Sequence, residues 1–119
     1  MSYQSSSTIK IEITEHVSVT LQGRVDAFNV PELRQKLDGY LKKGATNFLV
    51  DLAEVSFMDS AGLAALVSLL KYSRSVMGDV KLVWPKNPDA QRILKLTRFD
   101  RVFKMVNNID DGVKCFTSA

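Results

Sequence analysis

The order of apolar and polar residues along this chain predicts short strands that alternate with amphipathic helices. Residues 9–13 and 16–21 each alternate between apolar and polar side chains, which is typical of two half-buried strands joined as a hairpin. Residues 48–52 form an almost continuous apolar run, which predicts a buried central strand. Residues 80–84 predict a further strand, closed by Pro85.

Three other stretches place their apolar residues at the spacing of one helix face. They are predicted to run from Pro31 to about Lys43, from Ala61 to about Met77, and from Asn87 or Pro88 to about Thr97. Pro31 suits the first turn of a helix, and Gly44 suits the stop after its last turn. The residues predicted to face the core are Leu33, Leu37, Tyr40 and Leu41 in the first helix, Leu63, Leu66, Val67 and Leu70 in the second, and Ile93, Leu94 and Leu96 in the third.

This alternation predicts an α/β fold with a mixed sheet of four to five strands and helices packed against it. Residues 99–106 predict a short last strand, and residues 109–116 a terminal helical turn or two. Residues 1–8 are polar and are expected to be a flexible N-terminus before a single domain at 9–116. Because loops and ligands collect at the carboxyl ends of parallel strands, Asp26 and Ser60 are expected at one edge of the sheet.

Composition narrows the classes of protein that the chain can represent. The 119 residues are 45% hydrophobic and 24% charged, which is ordinary for one globular domain. No apolar run approaches the roughly 20 residues that a membrane span needs, and the first residues lack a signal-peptide pattern. Cys115 is the only cysteine, so an intrachain disulfide is excluded. We therefore expect a cytoplasmic protein without membrane association.

Catalytic and metal-binding patterns are missing from the sequence. Met58 occupies the position where a hydrolase elbow around Ser60 would need glycine, and His16, the only histidine, is expected at an exposed turn. The sequence contains neither a Cys/His cluster for zinc nor a glycine-rich nucleotide loop. Asp26 and Asp59 could in principle hold Mg²⁺, although two carboxylates are common on protein surfaces. We expect no enzymatic activity, no metal and no cofactor.

Ser60 lies where the central strand turns into the second helix, and two interpretations remain open. It can be the capping residue, whose oxygen accepts a free backbone N–H of the first helical turn. Alternatively, the serine is presented at the rim of the sheet for recognition. Gly62 lowers helix propensity by about 1 kcal/mol relative to alanine. In return it offers bare backbone that another molecule could approach closely.

The second helix is predicted to carry a face of small residues opposite its buried stripe. The residues on that face are Ala61, Ala64, Ala65 and Ser68. No lysine, arginine or glutamate appears in the helix before Lys71, whereas a solvated helix face normally carries such residues. The face is therefore either a flat surface for a partner or a surface covered by another segment of the same chain.

Two segments of the chain resemble the signature of the STAS domain family. They are Asp51-Leu52 followed by Phe57-Met58-Asp59-Ser60-Ala61-Gly62-Leu63, and Leu21-Gln22-Gly23-Arg24-Val25-Asp26-Ala27. The resemblance extends from about Ile9 to Phe116. STAS domains are found in anti-sigma factor antagonists and at the C-termini of sulphate transporters. Many members have a second hydroxyl residue directly after the serine that matches Ser60, which is the phosphate acceptor in the family. Here Ala61 occupies that position, so Ser60 is the only hydroxyl residue in the loop.

The resemblance implies that the chain is an anti-sigma factor antagonist. In such proteins the unmodified form binds an anti-sigma factor that is also a serine kinase. The kinase phosphorylates the serine matching Ser60, which weakens the complex, and a PP2C-type phosphatase restores it. The alternative is a STAS-type interaction subunit of another signalling or lipid-transport complex, in which Ser60 is a structural helix cap. The residues expected to bind the partner are Asp26, Asp59, Ala61, Gly62, Ala64, Ala65 and Ser68.

Charge is distributed unevenly along the chain, whose net charge is +3. Residues 71–104 contain nine lysines and arginines against three aspartates. Such a basic half could contact nucleic acid or an anionic membrane. Its charges, however, are spread over a strand, a helix and loops, and its aromatic residues are expected to pack inside. We interpret it as a solvated face and expect no nucleic-acid binding.

Overall fold

A computed structural model of the chain describes residues 9–13 and 16–117. The elements are β1 (Ile9–Ile13), β2 (Val17–Val25), α1 (Val30–Lys42), β3 (Asn47–Met58), α2 (Ser60–Ser75), β4 (Asp79–Val83), α3 (Pro88–Leu96), α4 (Phe99–Val102), β5 (Lys104–Val106) and α5 (Ile109–Thr117). The predicted flexible N-terminus at 1–8 and the hairpin connection at 14–15 lie outside the described residues. No helix in the described part of the chain is long and apolar enough to cross a membrane.

The five strands form one mixed sheet in the order β1-β2-β3-β4-β5. β1 pairs antiparallel with β2, and every other neighbouring pair is parallel. The predicted α/β fold is therefore confirmed. The parallel register sets Val25 opposite Met58, so β2 and β3 end side by side. This places the residues that follow both strands at one edge of the sheet.

Strand alternation divides the apolar residues of the sheet between two faces. Phe48, Val50 and Leu52 of β3 belong to the main core, which the helices α1, α2 and α3 cover. Leu49 points the other way and packs with Val83 and residues of α5 in a smaller cluster. The core between the sheet and α1 and α2 is what positions the start of α2.

The central strands are longer than the sequence pattern indicated. β3 continues to Met58 and β2 to Val25, although residues 53–57 interrupt the apolar run. The two strands pair along nearly their whole length, with register shifts between Thr20 and Gln22 and between Gly23 and Arg24, and the φ of Gly23 is 73°. Pairing with a neighbour extends a strand beyond its apolar segment, and glycine accommodates the irregularity.

Three of the predicted side-chain environments are wrong. Tyr72, one of the aromatic residues of the basic half that were expected to pack inside, is 42% exposed. His16 was expected at an exposed turn, but only 6% of it is exposed and its ring stacks on Phe116 with 5.0 Å between ring centroids. The contact comes from α5, which is distant in sequence and invisible to local pattern. Leu96, the last residue of α3, was expected to face the core, but it is 75% exposed, and the buried residues of this helix are Ala90 and Leu94.

The C-terminal part follows the prediction with one addition. Only Lys104–Val106 of the predicted strand 99–106 pairs with the sheet. Phe99–Val102 forms the single helical turn α4, after Arg98 adopts a left-handed conformation that ends α3. Phe99 and Phe103 stack across this turn with their ring centroids 5.2 Å apart. The predicted terminal helix is present as α5.

Candidate functional site

The loops after β2 and β3 are joined by hydrogen bonds at the carboxyl edge of the sheet. The backbone N–H of Ala27 donates to Oδ2 of Asp59 over 3.0 Å. The backbone N–H of Asp59 donates to the carbonyl oxygen of Val25 over 3.3 Å. Asp26 directly follows Val25, and Ser60 directly follows Asp59. The structure thus brings Asp26 and Ser60 to the same edge of the sheet, as the sequence predicted.

Asp59, and not Ser60, caps helix α2. Asp59 has extended backbone angles, and its Oδ1 accepts the N–H of Gly62 over 3.0 Å. This bond from Gly62, together with bonds from Ala27 and Ala61, lowers the pKa of the Asp59 carboxyl. Ser60 is the first residue of the helix and is exposed. The interpretation of Ser60 as the structural cap is therefore wrong: aspartate and serine are both good caps, and the chain uses the aspartate.

The loop after β2 is held by its own side chains. Asp26 accepts the N–H of Phe28 over 3.1 Å and the Nε of Arg24 over 3.2 Å. Asn29 accepts the N–H of Asp26 over 2.9 Å and donates to the carbonyl of Arg24 over 2.8 Å. The Arg24 guanidinium lies 4.1 Å from the ring centroid of Phe57. The loop thus approaches α2 with a conformation that these contacts define.

Gly62 is buried against its own chain and does not offer its backbone to another molecule. A Cβ built on Gly62 would lie 2.5 Å from the carbonyl oxygen of Val25 and 3.1 Å from Cγ1 of the same residue. The predicted role of Gly62 in partner contact is corrected accordingly. Glycine is needed here because the end of β2 passes too close to the helix for any side chain.

Part of the predicted small-residue face is covered by α1. Ala65 is only 2% exposed and lines a groove between α1 and α2, together with Leu37 and Ser68. Ala65 is therefore not available as partner surface, which corrects the prediction. Ala64 and Ser68 are exposed and Ala61 is half-buried. The buried stripe of α2 is Gly62, Ala65, Leu66, Leu69, Leu70 and Ser73, because the helix packs against both the sheet and α1.

Sequence reasoning missed Phe28, which is 82% exposed in the loop beside Asp59. Its backbone is fixed by Asp26, and its neighbour Ala27 is bonded to the cap of α2. The available signal was an aromatic residue between the turn-forming residues Asp26 and Asn29, where a side chain has no strand or helix to pack under. Among the described residues, no group of three histidine, cysteine or acidic side chains could hold a metal ion.

Comparison with known proteins agrees with this fold. The model of the STAS domain family matches residues 8–112. The anti-sigma-B factor antagonist of Listeria monocytogenes is 34% identical over 77 residues, covering 65% of this chain and 68% of that protein. An anti-sigma factor antagonist from Mycobacterium paratuberculosis has a similar structure, with a TM-score of 0.84, 24% identity and coverage of 99% and 100% of the two chains.

The anti-sigma factor antagonist SpoIIAA shares the fold in both of its solved forms. Its unphosphorylated form matches with a TM-score of 0.78 over 94% of this chain and 100% of that chain. Its phosphorylated form, from Bacillus, matches with a TM-score of 0.72 over 91% and 99%. Identity is 21% in both cases, so these two structures establish the fold alone. The match of the family model over most of the chain shows that this chain belongs to the STAS domain family.

Proposed function

We propose that this chain is an anti-sigma factor antagonist that works as a phosphorylation-controlled switch. In its unmodified form it binds an anti-sigma factor that is also a serine kinase, and phosphorylation of Ser60 releases it. A PP2C-type phosphatase returns it to the binding form. The observation that carries the proposal is that Ser60 is exposed at the first position of α2 while Asp59 does the capping. The names of the relatives support the choice of an anti-sigma factor as partner.

The fold should tolerate a phosphate on Ser60. A phosphoserine carries a charge of about −1.5 to −2 and would stand at the positive end of the α2 dipole, where anions are favoured. The adjacent Asp59 carboxylate opposes it, but that group already accepts the N–H of Gly62 and of Ala27. Attraction to the helix and repulsion from Asp59 oppose each other, so modification should not unfold the domain.

A partner docked over Ser60 would feel the phosphate much more strongly. On the α2 side of the serine the surface consists of small uncharged residues, since Ala61 is half-buried and Ala64 is exposed, and the adjacent charged residue, Asp59, has the same sign as a phosphate. A protein packed onto such a surface excludes water, and a phosphate enclosed there loses its hydration without gaining a counter-charge. Phosphorylation would therefore weaken the complex while the domain stays folded. In this proposal the chain binds and is modified, and catalyses no step itself.

The test uses the serine-kinase anti-sigma factor of the same genome, purified, with ATP. We expect phosphorylation of the wild type and none of Ser60→Ala. Ser56→Ala is the matched control, because Ser56 is an exposed serine of the preceding strand, and its phosphorylation should equal that of the wild type. Phosphate found on another residue in the Ser60→Ala variant would contradict the site.

Binding is measured separately, by titration calorimetry without ATP. Wild type and Ser60→Ala should bind the kinase alike, and Ser60→Asp should bind more weakly. Circular dichroism should show all three proteins equally folded. The affinities of Ser60→Asp and of enzymatically phosphorylated wild type are then compared with that of the unmodified protein. If both proteins bind the kinase as tightly as the unmodified protein does, the switch is overturned.

A further inference from the structure

We propose that Phe28 is the aromatic anchor of the partner interface, and that it inserts into an apolar pocket of the anti-sigma factor. This inference rests on the proposed function and extends it to a residue outside the family's signature segment around Ser60. Phe28 is 82% exposed, the most exposed aromatic residue among the large hydrophobic side chains of the described part of the chain.

The loop that carries Phe28 is built to hold this side chain outside the core. Its N–H is bonded to Asp26, and the side chain of Asn29, the residue after it, bonds back to Asp26 and to Arg24, which both precede it. Those hydrogen bonds determine the backbone, so the ring is displayed without the loop having to order on binding. Binding sites whose residues are already positioned lose less entropy on association, and the dominant contacts of interfaces are enriched in aromatic residues and arginine.

The loop that carries Phe28 is bonded directly to the start of α2, where Ser60 lies. Ala27, the neighbour of Phe28, donates its N–H to Asp59, the neighbour of Ser60, over 3.0 Å. Arg24, stacked on Phe57 and paired with Asp26, lies in the same loop region. A partner that covers Ser60 therefore reaches the loop of Phe28 as well.

The polar groups of this surface point to the chemistry of the occupant. The Asp59 carboxylate accepts N–H groups of its own chain, and Asp26 is paired with Arg24, so neither needs a cation from a partner. The ring of Phe28 is the large apolar group exposed on this surface, and it suits an apolar pocket. Two copies of this chain meeting face to face would bring their Asp59 carboxylates and Ser60 positions together, and like charges would repel. We therefore assign the occupant to a different protein, with neutral groups around its pocket.

The experiment measures binding of the purified serine-kinase anti-sigma factor to wild type, Phe28→Ala and Met77→Ala by titration calorimetry. Met77 is 95% exposed and follows the far end of α2, about 24 Å along the helix from Ser60. It therefore controls for loss of an exposed apolar side chain away from the proposed interface. We expect Phe28→Ala to weaken the affinity by about 30-fold or more, as a dominant contact does, and Met77→Ala to change it by less than about twofold.

The outcomes separate the two proposals. If the wild type binds and Phe28→Ala binds within about threefold of it, the anchor is refuted and the proposed function stands. If the wild type does not bind the kinase at all, the proposed function falls, and the anchor with it. If sedimentation shows a wild-type dimer that Phe28→Ala abolishes, the ring serves self-association and the assignment to a different protein is overturned. Phe28→Ala should melt at the wild-type temperature, because the ring is outside the core.

Discussion

Replacing Gly62 by alanine tests how closely β2 and α2 approach each other at the site. The new Cβ would lie 2.5 Å from the carbonyl oxygen of Val25, whereas ordinary contact begins at 3.4 Å. The obstacle is backbone, which cannot rotate away as the tip of a side chain can. Relief therefore requires α2 and the end of β2 to separate by about 0.9 Å.

Two opposing effects determine the size of the change. Alanine is the better helix former, which contributes at most about 1 kcal/mol of stability. Overpacking of a close contact costs about 1–3 kcal/mol. We expect a net destabilisation of about 1–2 kcal/mol and a melting temperature lower by roughly 4–8 °C. Urea unfolding followed by circular dichroism measures the free energy of unfolding directly.

Gly39→Ala is the matched control, since Gly39 lies in helix α1 and a Cβ built there meets nothing within 4 Å. It should gain the helix propensity without the collision, and so become more stable by up to about 1 kcal/mol. If Gly62→Ala matches or exceeds the stability of Gly39→Ala, the close approach to Val25 is not what requires glycine at position 62. Displacement of α2 should also weaken partner binding, because it moves Ser60 relative to the loop after β2.

Three further predictions concern residues around this core. Gly78→Ala should lower the free energy of unfolding by more than about 3 kcal/mol, because its Cβ would overlap the carbonyl of Thr46. Urea unfolding measures this change, and a variant as stable as the wild type would contradict the prediction. Ser73→Ala should stabilise by about 1 kcal/mol, since the Ser73 hydroxyl is fully buried with no hydrogen-bond partner among the described residues, whereas Ser75→Ala removes only an exposed bond and should be nearly neutral. Asp59→Asn should be less stable than wild type at neutral pH. Because the folded-state pKa of Asp59 is lowered, its stabilising effect is present above the ordinary value of 3.8 and is lost as the pH falls through the folded-state pKa. The melting temperatures of wild type and Asp59→Asn should therefore differ at neutral pH and converge in acid. A difference that stays the same in acid would show that the charge of Asp59 is not the cause.

Much of the fold could be predicted because periodicity reports which face of an element is buried. The terminal and central elements, including α1, α2 and α5, appear where the pattern indicated. The environment of His16 could not be predicted in this way, because its burial depends on Phe116, which follows it by a hundred residues. The full length of β3 was hidden for the same reason: strand pairing with β2, and not hydrophobicity, extends it to Met58.

The candidate site was predictable in place but not in the roles of its residues. Parallel topology was enough to bring Asp26 and Ser60 to one edge of the sheet. Which of Asp59 and Ser60 caps the helix depends on backbone angles that both residues can adopt, so sequence alone left it open. The exposure of Ala65 depended on the position of α1, which a helical-wheel estimate for α2 does not contain.

In this structure Asp59 caps helix α2, and a different residue, Ser60, is exposed at its first position. This division of roles between two residues is what makes a switch feasible. If Ser60 were the cap, a phosphate on its oxygen would remove the hydrogen bond that starts α2, and release of a partner would be coupled to local unfolding. With Asp59 as cap and Gly62 packed against Val25, the start of the helix is held by residues that modification does not touch. The same logic explains the prediction that Ser60→Asp stays folded while it loses its partner. The same reasoning predicts the effect of Asp59→Ala, which removes the cap but leaves the Ser60 hydroxyl. This variant should have a lower free energy of unfolding, while Ser60 is still phosphorylated under conditions where the domain is folded.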